Sequence, residues 1–433
     1  MSSEKTSVDT SKGGAPIDEV PPPAVVAVDP RLLVREQGFA GYITEFKRRV
    51  KGGELGSMPV IAALIIIFVV FQLANSRFLS ADNLTNIGYY LAGAGLLSIG
   101  LVFVLLLGEI DLSVASVSGL SAAIFATFTT THGMNLWLAA LLVVVIGVLI
   151  GAFHGFFLAK IGVPAFVVTL AGFLGWNGFM LWLLRKTGSI SIADKGPIHY
   201  MDQTSFFMNS SIAGAYILAT IGVALFLGTA LVDQGRRRKA GVPYRATSEI
   251  VLRTVLLAIV AYGVAIVLNN SRGVPNALVL FLVVLVISDF VVRRTTFGRK
   301  VFALGGSLEA SRRAGINVPA IQIAVFAIAG GFAALGGLFL AGQIETANTQ
   351  AGTGNVLMLA IAAAVIGGTS LFGGRGSVWS ALIGGLVIES IQTGLNLLNM
   401  DTSIQYMITA AVLLAAVIID SVSRRTQRTS GRA

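Results

Sequence analysis

The sequence predicts an all-α, polytopic membrane protein with about twelve transmembrane helices, and three observations predict it. Only 12% of its 433 residues are charged while 55% are hydrophobic, and mean hydropathy is +0.82, too little polar surface for a soluble fold of this length. Apolar runs of about twenty residues recur from Met58 to Asp420, each long enough to cross roughly 30 Å of hydrocarbon as a helix. The strand alternation of an outer-membrane barrel is not seen.

The first 57 residues, rich in Ser, Pro and charge, read as a flexible cytoplasmic tail with the basic patch Lys47-Arg48-Arg49 before the first apolar run. That run begins too late for a cleaved signal peptide. Spans are expected near 58–75, 88–108, 112–131, 135–159, 163–184, 212–232, 250–269, 274–292, 321–342, 355–372, 377–398 and 404–420, within a transmembrane domain over 58–420. A cytoplasmic loop at 293–320 and a basic C-terminal tail at 421–433 complete the division. With the first tail inside, only Arg77, Arg185, Lys186, Lys195 and Arg272 of the 31 basic residues fall outside, so the positive-inside rule places both termini in the cytoplasm. The same asymmetry accounts for the net charge of +10 without a nucleic-acid role.

Glycine, at 50 residues, is well above the roughly 7% of average proteins. Gly147, Gly151 and Gly155 share one helical face, suited to close helix packing or to a substrate path. The absence of cysteine excludes disulfides, iron–sulfur clusters and thiolate metal sites, and His132, His154 and His199 have no ligand spacing, so no metal site is expected.

An ion-coupled transporter normally keeps several charged groups within its spans. Here Glu109 and Asp111 sit at a break between two spans, Asp289 and Asp420 near cytoplasmic ends, and Glu389 alone lies well inside an expected helix. Thr169, Asn177, Gln392 and Asn396 add neutral hydrogen-bonding capacity. The inventory suits an uncharged hydroxylated solute better than an ion relay, although each group could equally bond neighbouring helices. An intramembrane enzyme using Glu109 and Asp111 as acid and base is awkward, because residues two apart project from different helical faces.

Two segments depart from plain helix. From Leu107 to Val114 a glycine and two acids interrupt the apolar sequence, with Asp111 expected as an N-cap and Ser113 in the first turn. From Ile366 to Ser377 the chain is too rich in glycine to be helical throughout, so broken or re-entrant segments are expected near 108–113 and 367–376. Neither break has the Gly-x4-Gly-Lys-Ser/Thr pattern of a nucleotide-binding loop. Leu112–Ser116 and Gly376–Ser380 each follow a break and open a span, a faint internal echo. Between Thr296 and Pro319 glycines bracket a short helical candidate: Ser307 can cap it, Glu309 lies in its first turn, Arg312 and Arg313 near its end, and Gly315 then Pro319 terminate it. A capped, charged helix between two spans suits docking onto a cytoplasmic partner.

These motifs carry a family resemblance. Phe297–Val318 resembles the cytoplasmic loop of the branched-chain-amino-acid/monosaccharide class of ABC permeases, close to FGR-x-x-YAIGGN-x-EAAR-x-SGINV. Gly108–Val114 resembles its IDLSV signature, Val163–Ala171 its P-x-FIVTLA segment, Val365–Val378 its VIGGTSL-x-GG-x-GSV segment, and Gly394–Leu398 matches GLNLL. The resemblance covers most of the chain from Phe78 onward. The insertion holding Arg236–Lys239 and the turn Asn269–Pro275 are most similar to the xylose permease branch.

The resemblance implies a transport subunit rather than an enzyme, in the bacterial cytoplasmic membrane, importing a monosaccharide such as D-xylose or a related pentose. It implies a second permease copy, a cytoplasmic ATPase holding ATP and magnesium, and an extracytoplasmic sugar-binding protein, with no cofactor on this chain. The family's coupling loop carries over to Gly305, Gly306, Ser307, Glu309, Ala310, Arg312 and Gly315; Ser307 and Ser311 stand where the family usually has Asn and Ala. Candidate pathway or helix-break residues are Glu109, Asp111, Ser113, Thr169, Asn177, Glu389 and Asn396.

Overall fold

A computed structural model describes residues 58–192, 196–207, 214–242, 244–352 and 354–429. The expected N-terminal tail lies outside them. In chain order the helices are α1 (Met58–Ala74), α2 (Ala81–Leu106), α3 (Val114–Ala126), α4 (Leu136–Phe156), α5 (Ala165–Leu184), α6 (Pro197–Gln203), α7 (Gly214–Lys239) and α8 (Thr247–Asn269). There follow α9 (Asn276–Arg294), α10 (Thr296–Gly306), α11 (Leu308–Arg313), α12 (Val318–Gln343), α13 (Gly354–Ile366), α14 (Trp379–Leu397) and α15 (Thr402–Thr429). Single π turns extend α3 to Thr131 and α4 to Ile161.

Among the described residues eight helices are long and apolar enough to cross a membrane: α2, α3 and α4 with their π turns, α5, α7, α8, α9 and α12. Met58–Ala74, Asn355–Ile366 and Thr402–Ala415 are shorter apolar helices. Each of the twelve expected spans falls on a helix, with shifted ends. Helix α2 starts at Ala81 rather than 88 because the Ser80 hydroxyl accepts the Asn83 amide proton. Helix α13 stops at Ile366 rather than 372 because the glycine-rich break takes up the difference, and α15 continues past 420 to Thr429.

Helices α2 and α3 are buried along most of their length, and α12 packs against both and against α4. Small residues make this contact possible. A Cβ on Gly147 would lie 2.5 Å from the Gly330 carbonyl oxygen, on Gly151 2.0 Å from that of Phe326, and on Gly155 2.7 Å from Ile323 Cα. The glycine face is therefore the α4–α12 packing seam, backbone against backbone. Helices α5, α7 and α8 leave most of their apolar surface open, as lipid-facing helices do. Two short strands, β1 (Ser189–Ser191) and β2 (Thr346–Asn348), pair antiparallel, with Ile190 opposite Ala347.

Candidate functional site: two helix breaks and the α10–α11 loop

The chain between α2 and α3 is irregular but fully anchored. Gly108, at φ +82°, takes a left-handed conformation that turns the chain out of α2. Asp111 Oδ1 then accepts the Ser113 amide at 2.9 Å and the Ser113 hydroxyl at 2.5 Å. The N-cap position of α3 is Ser113 itself, with no side-chain cap bond, so the expectation of Asp111 as N-cap is corrected: its carboxylate closes a turn two residues long before the helix begins.

This turn is tied to α4 and α5. Ser113 Oγ lies 3.1 Å from His154 Nδ1, and Trp176 Nε1 donates to His154 Nε2 at 2.9 Å. An indole N–H can only donate, so Nε2 accepts and the imidazole proton sits on Nδ1. The chain therefore runs one way, Trp176 to His154 to Ser113 to Asp111. Asp111, Ser113 and His154 are each at most 2% exposed. Gly172 permits the approach, since a Cβ there would come within 2.5 Å of His154 Nε2. Thr169 stands beside the turn, its hydroxyl bonded to the Ala165 carbonyl at 2.9 Å and 3.4 Å from the Ile110 carbonyl.

These four side chains resemble a hydrolase set in composition only. His154 donates to Ser113 and cannot take its proton, and Ser113 spends that proton on Asp111, so no activated nucleophile results. Glu109 points elsewhere: it lines a cavity of about 320 Å³ with Gly108, Leu158, Gly162, Pro164 and Phe166, and burial raises its carboxyl pKa above the usual value. The two acids do not share a centre.

Three separated segments meet at the end of the bundle that carries α10 and α11. A Cβ on Gly305 would lie 1.8 Å from the Leu106 carbonyl oxygen and 2.5 Å from the Gly374 nitrogen, and the Gly374 amide donates to Leu106 O at 3.0 Å. A Cβ on Gly373 would meet Gly108 N and Gly305 O, each at 2.8 Å. The two breaks and the end of α10 thus touch through bare backbone. The second break is braced internally by Thr369 Oγ1 and Ser380 Oγ at 2.5 Å and by Arg293, which bonds Ser377 Oγ at 2.7 Å.

The loop holds two helices rather than the one expected. Helix α10 is capped by Thr295, whose Oγ1 accepts the Gly298 amide at 3.2 Å, and buries Gly298, Val301 and Leu304. In α11, Ser307 Oγ accepts the Ala310 amide at 3.2 Å, and Arg313 pairs with Glu309 at 3.0 Å. Gly315 follows at φ +76°. Gly306, Ser307, Glu309, Ala310, Arg312 and Gly315 are exposed, and Ser311 is buried.

The remaining expected residues lie apart. Glu389 and Asn396 are on α14, whose apolar residues pack with those of α1, α13 and α15. Glu389 is buried, whereas Asn396 is exposed and accepts from Gln405 Nε2 at 2.8 Å. Asn177 is half-buried on α5. The structure therefore brings together Asp111, Ser113 and Thr169, and joins Gly305 to the breaks, but puts Glu389 and Asn396 in another packing unit. His154 and Trp176 escaped the sequence reading; the one signal was an ionisable residue inside an apolar span. No group of His, Asp or Glu among the described residues could hold a metal ion.

The chain is 37% identical to the xylose transport system permease protein of Escherichia coli K12 over 90% of this chain and 95% of the relative. It is 33% identical to the Haemophilus influenzae protein of the same name, covering 87% and 99%, and 31% identical to the ribose import permease protein of that organism, covering 83% and 91%. No solved structure matches. Residues 83–417 match the family described as branched-chain amino acid transport system / permease component. The chain belongs to that family of permease components: it is a membrane-spanning transport subunit, not an enzyme.

Proposed function

We propose that this chain is the membrane-spanning subunit of an ATP-driven monosaccharide importer, with D-xylose or a related pentose as cargo. The observation that carries the reading is the 37% identity, over 90% of this chain, to a xylose transport system permease. The sugar passes through a pair of permease subunits, most simply two copies of this chain, in the bacterial cytoplasmic membrane with both termini inside. An extracytoplasmic binding protein delivers it, and a cytoplasmic ATPase holds ATP and magnesium.

Chemistry supports the division of labour. The chain has no nucleotide-binding loop, and the exposed, capped α11 offers a partner a rigid charged handle. Gly305, at the end of α10, rests on both helix breaks, so a push on this loop reaches α2 and the start of α14 without passing through flexible side chains. Asp111, Ser113 and Thr169 support and orient the first break, and Glu109 lines the cavity beside it. Glu389, Asn177 and Asn396 supply polar groups on helices α14 and α5.

The test is ATP hydrolysis by the chain reconstituted with its cognate ATPase and binding protein, titrated with xylose, ribose, arabinose and galactose. Stimulation by xylose above the other sugars is expected. An intact complex stimulated by none of them would remove the monosaccharide assignment.

A further inference from the structure

A groove of about 280 Å³ is lined by α7 from Ala224 to Arg236 and by Arg294 at the end of α9. Its floor is apolar: Leu225, Gly228 and Val232 follow one another along one face of α7, spaced so that an extended chain can lie on them. Thr229, beside them, bonds back to the Leu225 carbonyl at 2.8 Å and so leaves no unsatisfied polarity in the floor. Over Gly228 there is open space, with no atom within 4 Å of where its Cβ would stand. The groove lining also includes two arginines from different helices, Arg236 of α7 and Arg294 of α9, with Asp233.

Three nearby arginines have partners within the chain, whereas Arg238 and Lys239 at the end of α7 form no ion pair among the described residues. Arg237 pairs with Asp233 at 3.0 Å, Arg253 with Glu249 at 2.7 Å, and Arg293 with Asp289 at 2.7 Å while also reaching Ser377. The Asp233 carboxylate is therefore engaged by Arg237. Among the described residues neither Arg236 nor Arg294 forms an ion pair, although both line this one groove. A rule that only fixes topology needs basic residues near a helix end, not two from separate helices turned to a common slot. Guanidinium groups bind phosphate oxygens through paired N–H donors, and basic pockets between membrane helices hold anionic headgroups.

We propose that this groove binds an anionic phospholipid, with its phosphate between Arg236 and Arg294 and one acyl chain along Leu225, Gly228 and Val232. The site rests on the membrane-spanning fold and stands whichever sugar the chain carries.

Native mass spectrometry of the full chain, mixed with phosphatidylglycerol or phosphatidylcholine of identical acyl chains, tests it. Wild type should retain phosphatidylglycerol roughly tenfold better than phosphatidylcholine. Arg236→Gln with Arg294→Gln should abolish that preference, while the charge-matched pair Arg238→Gln with Lys239→Gln, outside the groove, should keep it. Gly228→Leu, which fills the slot but leaves both arginines, should lower retention of phosphatidylglycerol, and millimolar inorganic phosphate should fail to displace it. Equal retention of the two lipids, equal loss in both charge pairs, unchanged retention in Gly228→Leu, or displacement by phosphate would each overturn the assignment.

Discussion

The Leu106 carbonyl accepts the Gly374 amide at 3.0 Å, tying the end of α2 to a segment more than two hundred residues away. Gly305 lies against both atoms of that bond, where a methyl group would overlap the carbonyl oxygen at 1.8 Å. Next to it, Gly306 faces open space. Gly305→Ala should therefore part the joint at a cost of about 1–3 kcal/mol, as overpacking does. Sugar-stimulated ATP hydrolysis should fall roughly tenfold in the assembled complex, while Gly306→Ala stays near wild type. Equal behaviour of the two alanine variants would show that the joint transmits nothing.

The hydrogen-bond chain from Trp176 to Asp111 makes a different prediction. Ser113→Ala removes the middle of the chain, leaves the buried His154 Nδ1–H without an acceptor and leaves Asp111 with only the backbone amide of residue 113, which should cost about 1–3 kcal/mol. Trp176→Phe removes one end and frees only His154 Nε2, so it should cost less. Thermal unfolding of the purified chain in detergent ranks the two, and the reverse order would show that Ser113 is not the central link of the chain.

Close packing of α4 on α12 can be tested by a contrast between glycines. Gly151→Ala places a methyl group 2.0 Å from the Phe326 carbonyl and should destabilise by about 1–3 kcal/mol. Gly175→Ala, on α5 with nothing within 4 Å, should be neutral or gain up to about 1 kcal/mol from helix propensity. The same unfolding assay reads both.

Glu309 and Arg313 form an exposed pair, with side chains 69% and 79% accessible, so their bond adds only about 0–1 kcal/mol. Glu309→Lys should leave the melting temperature nearly unchanged while abolishing stimulated hydrolysis and weakening pull-down of the ATPase. A variant that melts normally and still couples would separate α11 from docking.

Much of this was legible in the sequence. Apolar run length put each of the twelve expected spans on a helix, and eight helices among the described residues are long and apolar enough to cross a bilayer. Glycine located both breaks, with two acids marking the first, and Ser307, Glu309 and Gly315 marked the ends of α11 through local chemistry. Long-range relations were not legible. That Gly305 touches Leu106 and Gly374, or that His154 bonds Ser113, depends on which helices adjoin, and apolar spans with almost no amphipathic contrast do not encode their neighbours in periodicity. Helix α10 was missed because its short amphipathic stretch sat among glycines that read as loop, and the Asp111 cap was misassigned because Ser113 at the N-cap turns the carboxylate back onto its own turn.

The most direct test of coupled import is uptake of radiolabelled xylose into proteoliposomes holding the chain, its ATPase and its binding protein. The account predicts uptake that requires internal ATP and the binding protein and persists when ion gradients are collapsed. Uptake that survives ATP depletion but disappears with the ion gradient would contradict it and point to an ion-coupled transporter.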